Sequence, residues 1–173
     1  IEEVTGEKVD LIASGRTDAG VHALGQVANF RLEKDFPIEK IPYALNSKLK
    51  KSIRIKEAEV VPEKFHSRYT CKKKTYRYVI NNSVQGTAIY RYLQYHFPEK
   101  LDENKMNEGA KYLIGEHDFK SFKASGTSSK SSVRTIYDAK VAREGEIVTI
   151  ELTGNGFLYN MVRIIAGTLV DVG

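Results

Sequence analysis

Hydrophobic positions divide the chain into segments of different period. Residues 1–8 form a polar lead-in. Val9-Asp10-Leu11-Ile12-Ala13 is then an apolar run, and Gln26-Val27-Ala28-Asn29-Phe30-Arg31-Leu32 alternates. Both read as strands with a loop between them. From Phe36-Pro37 onward, Ile38, Ile41, Leu45 and Leu49 recur near the helical period, which predicts a helix. Pro42 falls early enough to be tolerated in a first turn. Ile53-Arg54-Ile55-Lys56 alternates and Ala58 to Val61 continues it, which predicts another strand. Pro62-Glu63-Lys64 breaks the pattern and divides the chain into halves, residues 1–64 and 65–173.

In the second half, Thr75 to Asn81 alternates and sets Tyr76, Tyr78 and Ile80 on one strand face. Residues 82–100 are irregular and aromatic. Asp102 reads as an N-cap, Met106, Ala110, Leu113 and Ile114 as a helix stripe, and Gly115 as its stop. The small, polar stretch from Ala124 to Ser132 is expected to be mobile without a ligand. Ile136 to Ala142 and Ile147 to Leu152 alternate around Glu144-Gly145-Glu146, which predicts a β-hairpin. Gly154-Asn155-Gly156 turns the chain. Phe157 to Val170 then carries Leu158, Met161, Val162, Ile165 and Leu169 at helical spacing. Together these segments predict an α+β fold with a largely antiparallel sheet.

Composition narrows the class. The 173 residues are 41% hydrophobic and 28% charged, an ordinary globular balance with room for one domain or two small ones. A single cysteine, Cys71, excludes an internal disulfide and a four-thiolate zinc site. His22, His66, His96 and His117 show no metal-ligand spacing. No apolar run is long enough to span a bilayer, and no secretory leader pattern opens the chain. A cytoplasmic, metal-free protein with no membrane contact is expected. The first residue is Ile, which reads as a processed chain or a fragment.

Charge points to a partner. The net charge of +5 suits an anion. Arg68, Lys72, Lys73, Lys74 and Arg77 cluster, with Tyr69, Tyr76 and Tyr78 interleaved. Cations for phosphates and rings for bases are the mixture that RNA needs. A solvated lysine run protecting a strand edge explains the cluster equally well.

The loop Ser14-Gly15-Arg16-Thr17-Asp18-Ala19-Gly20-Val21-His22-Ala23 gathers a cation, a hydroxyl, a carboxylate and an imidazole between two glycines. Asp18 is the only acid between Asp10 and Glu33, so it is not one charge on an acidic face. An Asp in a glycine-flanked loop is most often a turn residue bonded to nearby N–H groups. The full string Gly-Arg-Thr-Asp-Ala-Gly-Val-His-Ala, however, closely resembles the active-site loop of the TruA family of tRNA pseudouridine synthases. Three further segments resemble the same family in order and spacing. They are Lys73-Lys74-Thr75-Tyr76-Arg77-Tyr78, Gly115-Glu116-His117-Asp118-Phe119-Lys120-Ser121-Phe122, and Gly156-Phe157-Leu158-Tyr159-Asn160-Met161-Val162-Arg163-Ile164-Ile165-Ala166-Gly167.

The resemblance implies the pseudouridine synthase fold, in which two ferredoxin-like halves form one mixed, largely antiparallel sheet with a central cleft. It implies a strand and helix before Ile1, a continuation past Gly173, and a homodimer in the full-length protein. It also implies isomerisation of uridine to pseudouridine on the 3′ side of the tRNA anticodon stem-loop. The reaction moves uracil from N1 to C5 attachment with no redox change or phosphate transfer, so neither a nucleotide nor any other cofactor is expected. Asp18 takes the role of nucleophile or base, by attack at C1′ or C6 or by proton removal at C2′. Tyr76 faces the target base; on its own it reads equally as a cross-strand aromatic.

Arg16 is expected to fill the gap left by the flipped base or to hold the adjoining phosphate, with a local ion pair as the plainer reading. His22 is expected to pack the loop or touch RNA. Arg163 is the lone charge in an apolar helical stretch, and pairing with Asp18 would satisfy both groups. The plainer reading is an arginine reaching out from the helix edge. Two rivals remain. A non-catalytic RNA-binding ferredoxin-like module accounts for the basic and aromatic cluster but leaves Asp18 without a task. A hydrolase or phosphotransferase using Asp18 would need further acids for a metal, and none lies near it in sequence.

Overall fold

The computed structural model describes residues 1–126 and 131–173, which form two compact units, Ile1–Cys71 and Lys72–Gly173. The expected mobile stretch from Ala124 to Ser132 falls partly on residues 127–130, outside the described residues.

The first unit has little regular structure. The polar lead-in contains a one-turn helix, α1 (Glu2–Thr5), which closes on Gly6 in the left-handed region at φ 73°. The two expected strands shrink to β1 (Ile12–Ala13) and β2 (Ala28–Asn29), antiparallel with Ile12 opposite Asn29. Leu11 and Val27 are exposed at the ladder's edge, so the flanking apolar residues have no buried layer to extend it. A 3₁₀ turn over Ile38–Lys40 runs into α2 (Ile41–Lys48). Pro42 sits in the first turn of α2, where its missing N–H costs nothing, and Ile41 and Leu45 are buried.

The strand expected over residues 53–61 does not form. The side chain of Asn46 takes the place of a partner strand. Its amide nitrogen donates to Ile55 O at 2.8 Å and its oxygen accepts Ile55 N–H at 2.8 Å. One amide thus satisfies both backbone groups of Ile55, and the alternation carries no ladder. Pro62-Glu63-Lys64 is a turn, with Phe65 N–H bonded to Pro62 O. The chain stays in the first unit as far as Cys71, because Ser67 is tied to both short strands. Its N–H donates to Asn29 Oδ1 at 2.9 Å and its hydroxyl to Ile12 O at 2.7 Å.

The second unit is built on a sheet. Its elements are β3 (Lys74–Asn81), β4 (Tyr95–His96), α3 (Glu103–Lys111), β5 (Gly115–Asp118), β6 (Val133–Glu144), β7 (Ile147–Gly154) and α4 (Met161–Val172). The strand order is β4-β3-β7-β6-β5; β3 and β4 pair in parallel and every other neighbour antiparallel. This mixed, mainly antiparallel sheet with its helices is the α+β class expected. The predicted hairpin is β6–β7, with Gly145 at φ 58° in the two-residue loop.

Inward residues of β3, β7 and β6 (Ile80, Val148, Ile150, Leu152, Ala139 and Val141) belong to one buried cluster with Met106 and Ala110 of α3 and Met161, Ile165, Ala166 and Leu169 of α4. The inward phase of β6 survives a bulge at Tyr137, where Ile136 and Asp138 oppose consecutive residues of β7. Gly154, at the end of β7, allows the close approach of β6: a Cβ there would lie 2.8 Å from Thr135 O.

Helix α3 begins as expected. Asp102 accepts N–H from Asn104 and Lys105 at 3.1 and 3.2 Å. It ends earlier than expected, at Lys111, because residues 112–114 close in tighter turns. Gly115, at φ 115°, opens β5 instead of stopping the helix. Arg143 of β6 braces α3 through Glu103, with Nε to Oε2 at 2.8 Å. Among the described residues no helix is long and apolar enough to cross a membrane.

Candidate active site

The loop between β1 and β2 is held at its neck and turned at its tip. Ser14 N–H donates to Val27 O at 2.8 Å, and the Gln26 side chain donates to Gly15 O at 2.6 Å. Both bonds cross the base of the loop. At the tip, Val21 N–H donates to Asp18 O at 3.0 Å and closes a four-residue turn. Within it Gly20 has φ 80° while Ala19 has negative φ, the signature of a type II turn. Gly20 therefore takes a backbone conformation that favours glycine. Gly15 does not have positive φ.

Arg16, Asp18 and His22 are all exposed on this loop. The loop thus presents its carboxylate outward on a backbone whose shape is set by one turn and two bonds at the neck. Arg68, also exposed, lies in the same unit on the turn that Ser67 fastens to β1 and β2.

The other predicted residues stand in the second unit. Lys72 and Lys73 are exposed ahead of β3, and Lys74 is its first residue. Tyr76 is half-buried on the inward phase, opposite Leu152, and its ring meets Phe157 edge-on at 5.0 Å between centroids. Arg77 points the other way. It lies opposite Glu151 and pairs with it, Nη2 to Oε1 at 2.8 Å and Nε to the same oxygen at 2.9 Å. Arg77 is thus paired across the sheet, while Lys72 and Lys73 lie ahead of the ladder.

Arg163 is exposed on α4. Helix α4 buries Met161, Ile165, Ala166 and Leu169, and position 163 lies off that stripe. Its charge reaches Tyr78, the tyrosine two positions along β3 from Tyr76. Burial pushes the Tyr78 phenol above its ordinary range, the Arg163 charge pulls it down, and neighbouring Tyr95 pushes it up. Tyr78 and Tyr95 lie 6.4 Å apart, centroid to centroid. Asn160, the one non-glycine described with positive φ (59°), launches α4 just before Arg163.

Tyr78 and Phe157 were not singled out from the sequence as site residues. The period-two spacing of Tyr76 and Tyr78 was the available signal for the first; nothing local marks Phe157 as the ring that meets Tyr76. In chemical terms, one unit offers an exposed carboxylate on a loop that also carries Arg16 and His22. The other offers a tyrosine–phenylalanine edge contact, with a cation beside the next tyrosine of the strand.

Comparison with known proteins gives a consistent result. A family model described as tRNA pseudouridine synthase matches residues 1–70 and 110–173. A protein of Acetivibrio thermocellus named tRNA pseudouridine synthase A is 53% identical over 173 residues, covering 100% of this chain and 71% of the relative. Its namesake in Caldicellulosiruptor saccharolyticus is 51% identical over the same share of each chain. A Clostridium tetani protein named tRNA pseudouridine synthase A 2 is 51% identical, covering 100% of this chain and 70% of the relative.

Proposed function

This chain belongs to the tRNA pseudouridine synthase family, isomerases of tRNA uridine, and from that premise we propose that Asp18 carries the reaction on a uridine of the tRNA anticodon stem-loop. The observation that carries this reading is the Asp18 loop itself. Asp18 stands as the only acid of its loop, exposed, on a turn fixed by Gly20. A binding module would gain nothing from a carboxylate facing an anionic ligand.

In the reaction the C1′–N1 bond breaks, the freed uracil turns, a C1′–C5 bond forms, and C5 gives up its proton while N1 takes one up. The Asp18 carboxylate serves as nucleophile at C1′ or C6, or as base at C2′. Tyr76 stacks on the base with its phenol oxygen toward C5, and its edge contact with Phe157 limits how the ring can tilt. Arg16 holds the phosphate beside the flipped nucleotide or fills the space that it leaves.

Arg163 is proposed to act in the reaction as a cation. Its position supports a functional assignment. It lies in the first turn of α4, where the helix dipole disfavours a cation, and that turn contains no acid. Helix stability is therefore not what this arginine supplies there. Lys72, Lys73 and Lys74 are proposed to contact tRNA phosphates, and His22 to pack the loop or touch RNA. The full-length protein is proposed to act in the cytoplasm as a homodimer.

The test is incubation of the full-length enzyme with unmodified tRNA carrying labelled hydrogen at C5 of uridine, followed by mapping of pseudouridine. Release of label at anticodon stem-loop uridines is expected. Label retained at every uridine of the tRNA would sink the reading.

A further inference from the structure

The turn after Phe65 is built around His66. Its Nδ1 accepts two backbone N–H groups, those of Arg68 and Tyr69, each at 3.2 Å. Only an unprotonated nitrogen can do this. The imidazole also lies against the Tyr69 ring, with centroids 4.1 Å apart and planes inclined by 31°. Thr70 closes the turn from the other side. Its hydroxyl donates to His66 O at 2.7 Å and its N–H to the same oxygen at 2.9 Å. Between them Ser67 is buried and fastened to Ile12 O and Asn29 Oδ1. Those are residues of the short ladder whose strands lead into and out of the Asp18 loop.

The same turn that fastens Ser67 presents two side chains that it does not bury. Arg68 is exposed, and Tyr69 is 79% exposed. A ring with one face against an imidazole and the other open to water adds little burial. A cation beside an open ring is what an unpaired base and its phosphate require.

We infer that Tyr69 and Arg68, set in place by His66, form a contact for an unpaired nucleotide of the RNA substrate: the Tyr69 ring stacks on the base and the Arg68 guanidinium takes the adjoining phosphate. This rests on the tRNA reading above and adds a second nucleotide contact to the target uridine. His66 is a positioning residue, acting through the two N–H groups that it accepts and the ring that it backs.

The experiment uses the full-length enzyme, unmodified tRNA, and steady-state release of C5 hydrogen. Tyr69→Ala is expected to raise KM about tenfold with kcat held, the scale of one lost base stack. Tyr69→Phe should keep the KM of the parent. Arg68→Ala should lower the log–log salt slope of tRNA binding by about one, and Tyr69→Ala should leave that slope alone. His66→Asn can offer its side-chain oxygen to the same N–H groups, so it should keep more affinity than His66→Leu. Urea midpoints of all variants separate loss of contact from loss of fold.

A parental KM in Tyr69→Ala, or equal losses in the two His66 variants, would overturn the inference. If the parent enzyme releases no label, the functional reading fails by itself. The tRNA dissociation constants of Tyr69→Ala and its parent then still decide whether this contact exists.

Discussion

The two compact units solve the same problem by opposite means. In the second, a buried cluster running from Ile80 to Leu169 locks three central strands under two helices. In the first, Ile41 and Leu45 are the only buried apolar side chains among the described residues. Polar side chains do the holding there. Gln26 bonds Gly15, Asn46 bonds both backbone groups of Ile55, Lys56 bonds Leu24 O at 3.0 Å, and Ser67 bonds Ile12. A bond of this kind contributes about 1 kcal/mol net, whereas a core aliphatic contributes several. The carboxylate proposed to react therefore sits on the unit with the thinner core. The tyrosine proposed to hold the base sits on the sheet. Loops on a scaffold commonly carry chemistry, and here the scaffold beneath the loop is itself made largely of side-chain-to-backbone bonds.

The sharpest way to separate the units is to remove the chemistry from one and leave the other intact. Asp18→Asn should lower release of C5 hydrogen by more than about a thousandfold, the scale expected when a nucleophile or base is lost. Affinity for tRNA should hold or rise slightly, because an exposed negative charge is gone. Residual release within about tenfold of the parent enzyme would take Asp18 out of the reaction.

Packing separates them next. Ile150, fully buried in the central strand β7, should cost about 2–5 kcal/mol when changed to Ala, with the loss read from urea unfolding. Asn46→Ala removes both bonds to Ile55 and should cost about 1–3 kcal/mol. A probe in each unit, such as a fluorescent label, would show whether the two losses appear in one transition or two. An Asn46→Ala loss as large as that of Ile150→Ala would mean that the first unit depends on this one amide far more than its bond count suggests.

What was legible in the sequence follows the same division. Strand β3, the β6–β7 hairpin, the Asp102 cap and the apolar stripe of α4 could all be read, because burial on one side leaves a period in the residues. The extended stretch over residues 53–61 misled for the converse reason. Ile53 and Ile55 alternate as a strand would, yet the partner of Ile55 is a side chain from α2, and no periodicity announces an asparagine in that role. The start of α4 was placed too early because Phe157 and Leu158 extend its apolar stripe. The left-handed Asn160 begins the helix at Met161 instead. Within the candidate site the Asp18 loop was legible as a string. The pairing of Arg77 with Glu151 was not, since it depends on the register between β3 and β7.

That register makes a smaller prediction about RNA. Changing Lys72, Lys73 and Lys74 together to Ala should lower the log–log salt slope of tRNA binding by roughly two to three. Arg77→Ala should change it by well under one, because its charge is already met by Glu151 at 2.8 Å. Equal slope changes per residue would mean that tRNA breaks the Arg77–Glu151 pair on binding.

Arg163 gives the smallest expected effect on stability and the finest test of the contrast. Because the residue is exposed, Arg163→Met should cost no more than about 1 kcal/mol at neutral pH. Within its own unit the charge has a definite task, since it draws the Tyr78 phenol down against the push of burial. Burial dominates, so the folded Tyr78 holds its proton more tightly than the unfolded chain does. Stability from that neutral phenol is complete below the unfolded tyrosine value, near 10, and is lost as pH rises through the folded one. Arg163→Met raises the folded value further, so the alkaline loss should begin at the same pH and run deeper. Ultraviolet titration of tyrosinate, with Tyr78→Phe as the control, reads this directly. If Arg163 also acts in the reaction, the same variant should lose turnover as well. A shifted Tyr78 titration with full turnover would assign Arg163 to the sheet alone. Lost turnover beside a shifted Tyr78 titration would show that this one cation serves the reaction as well.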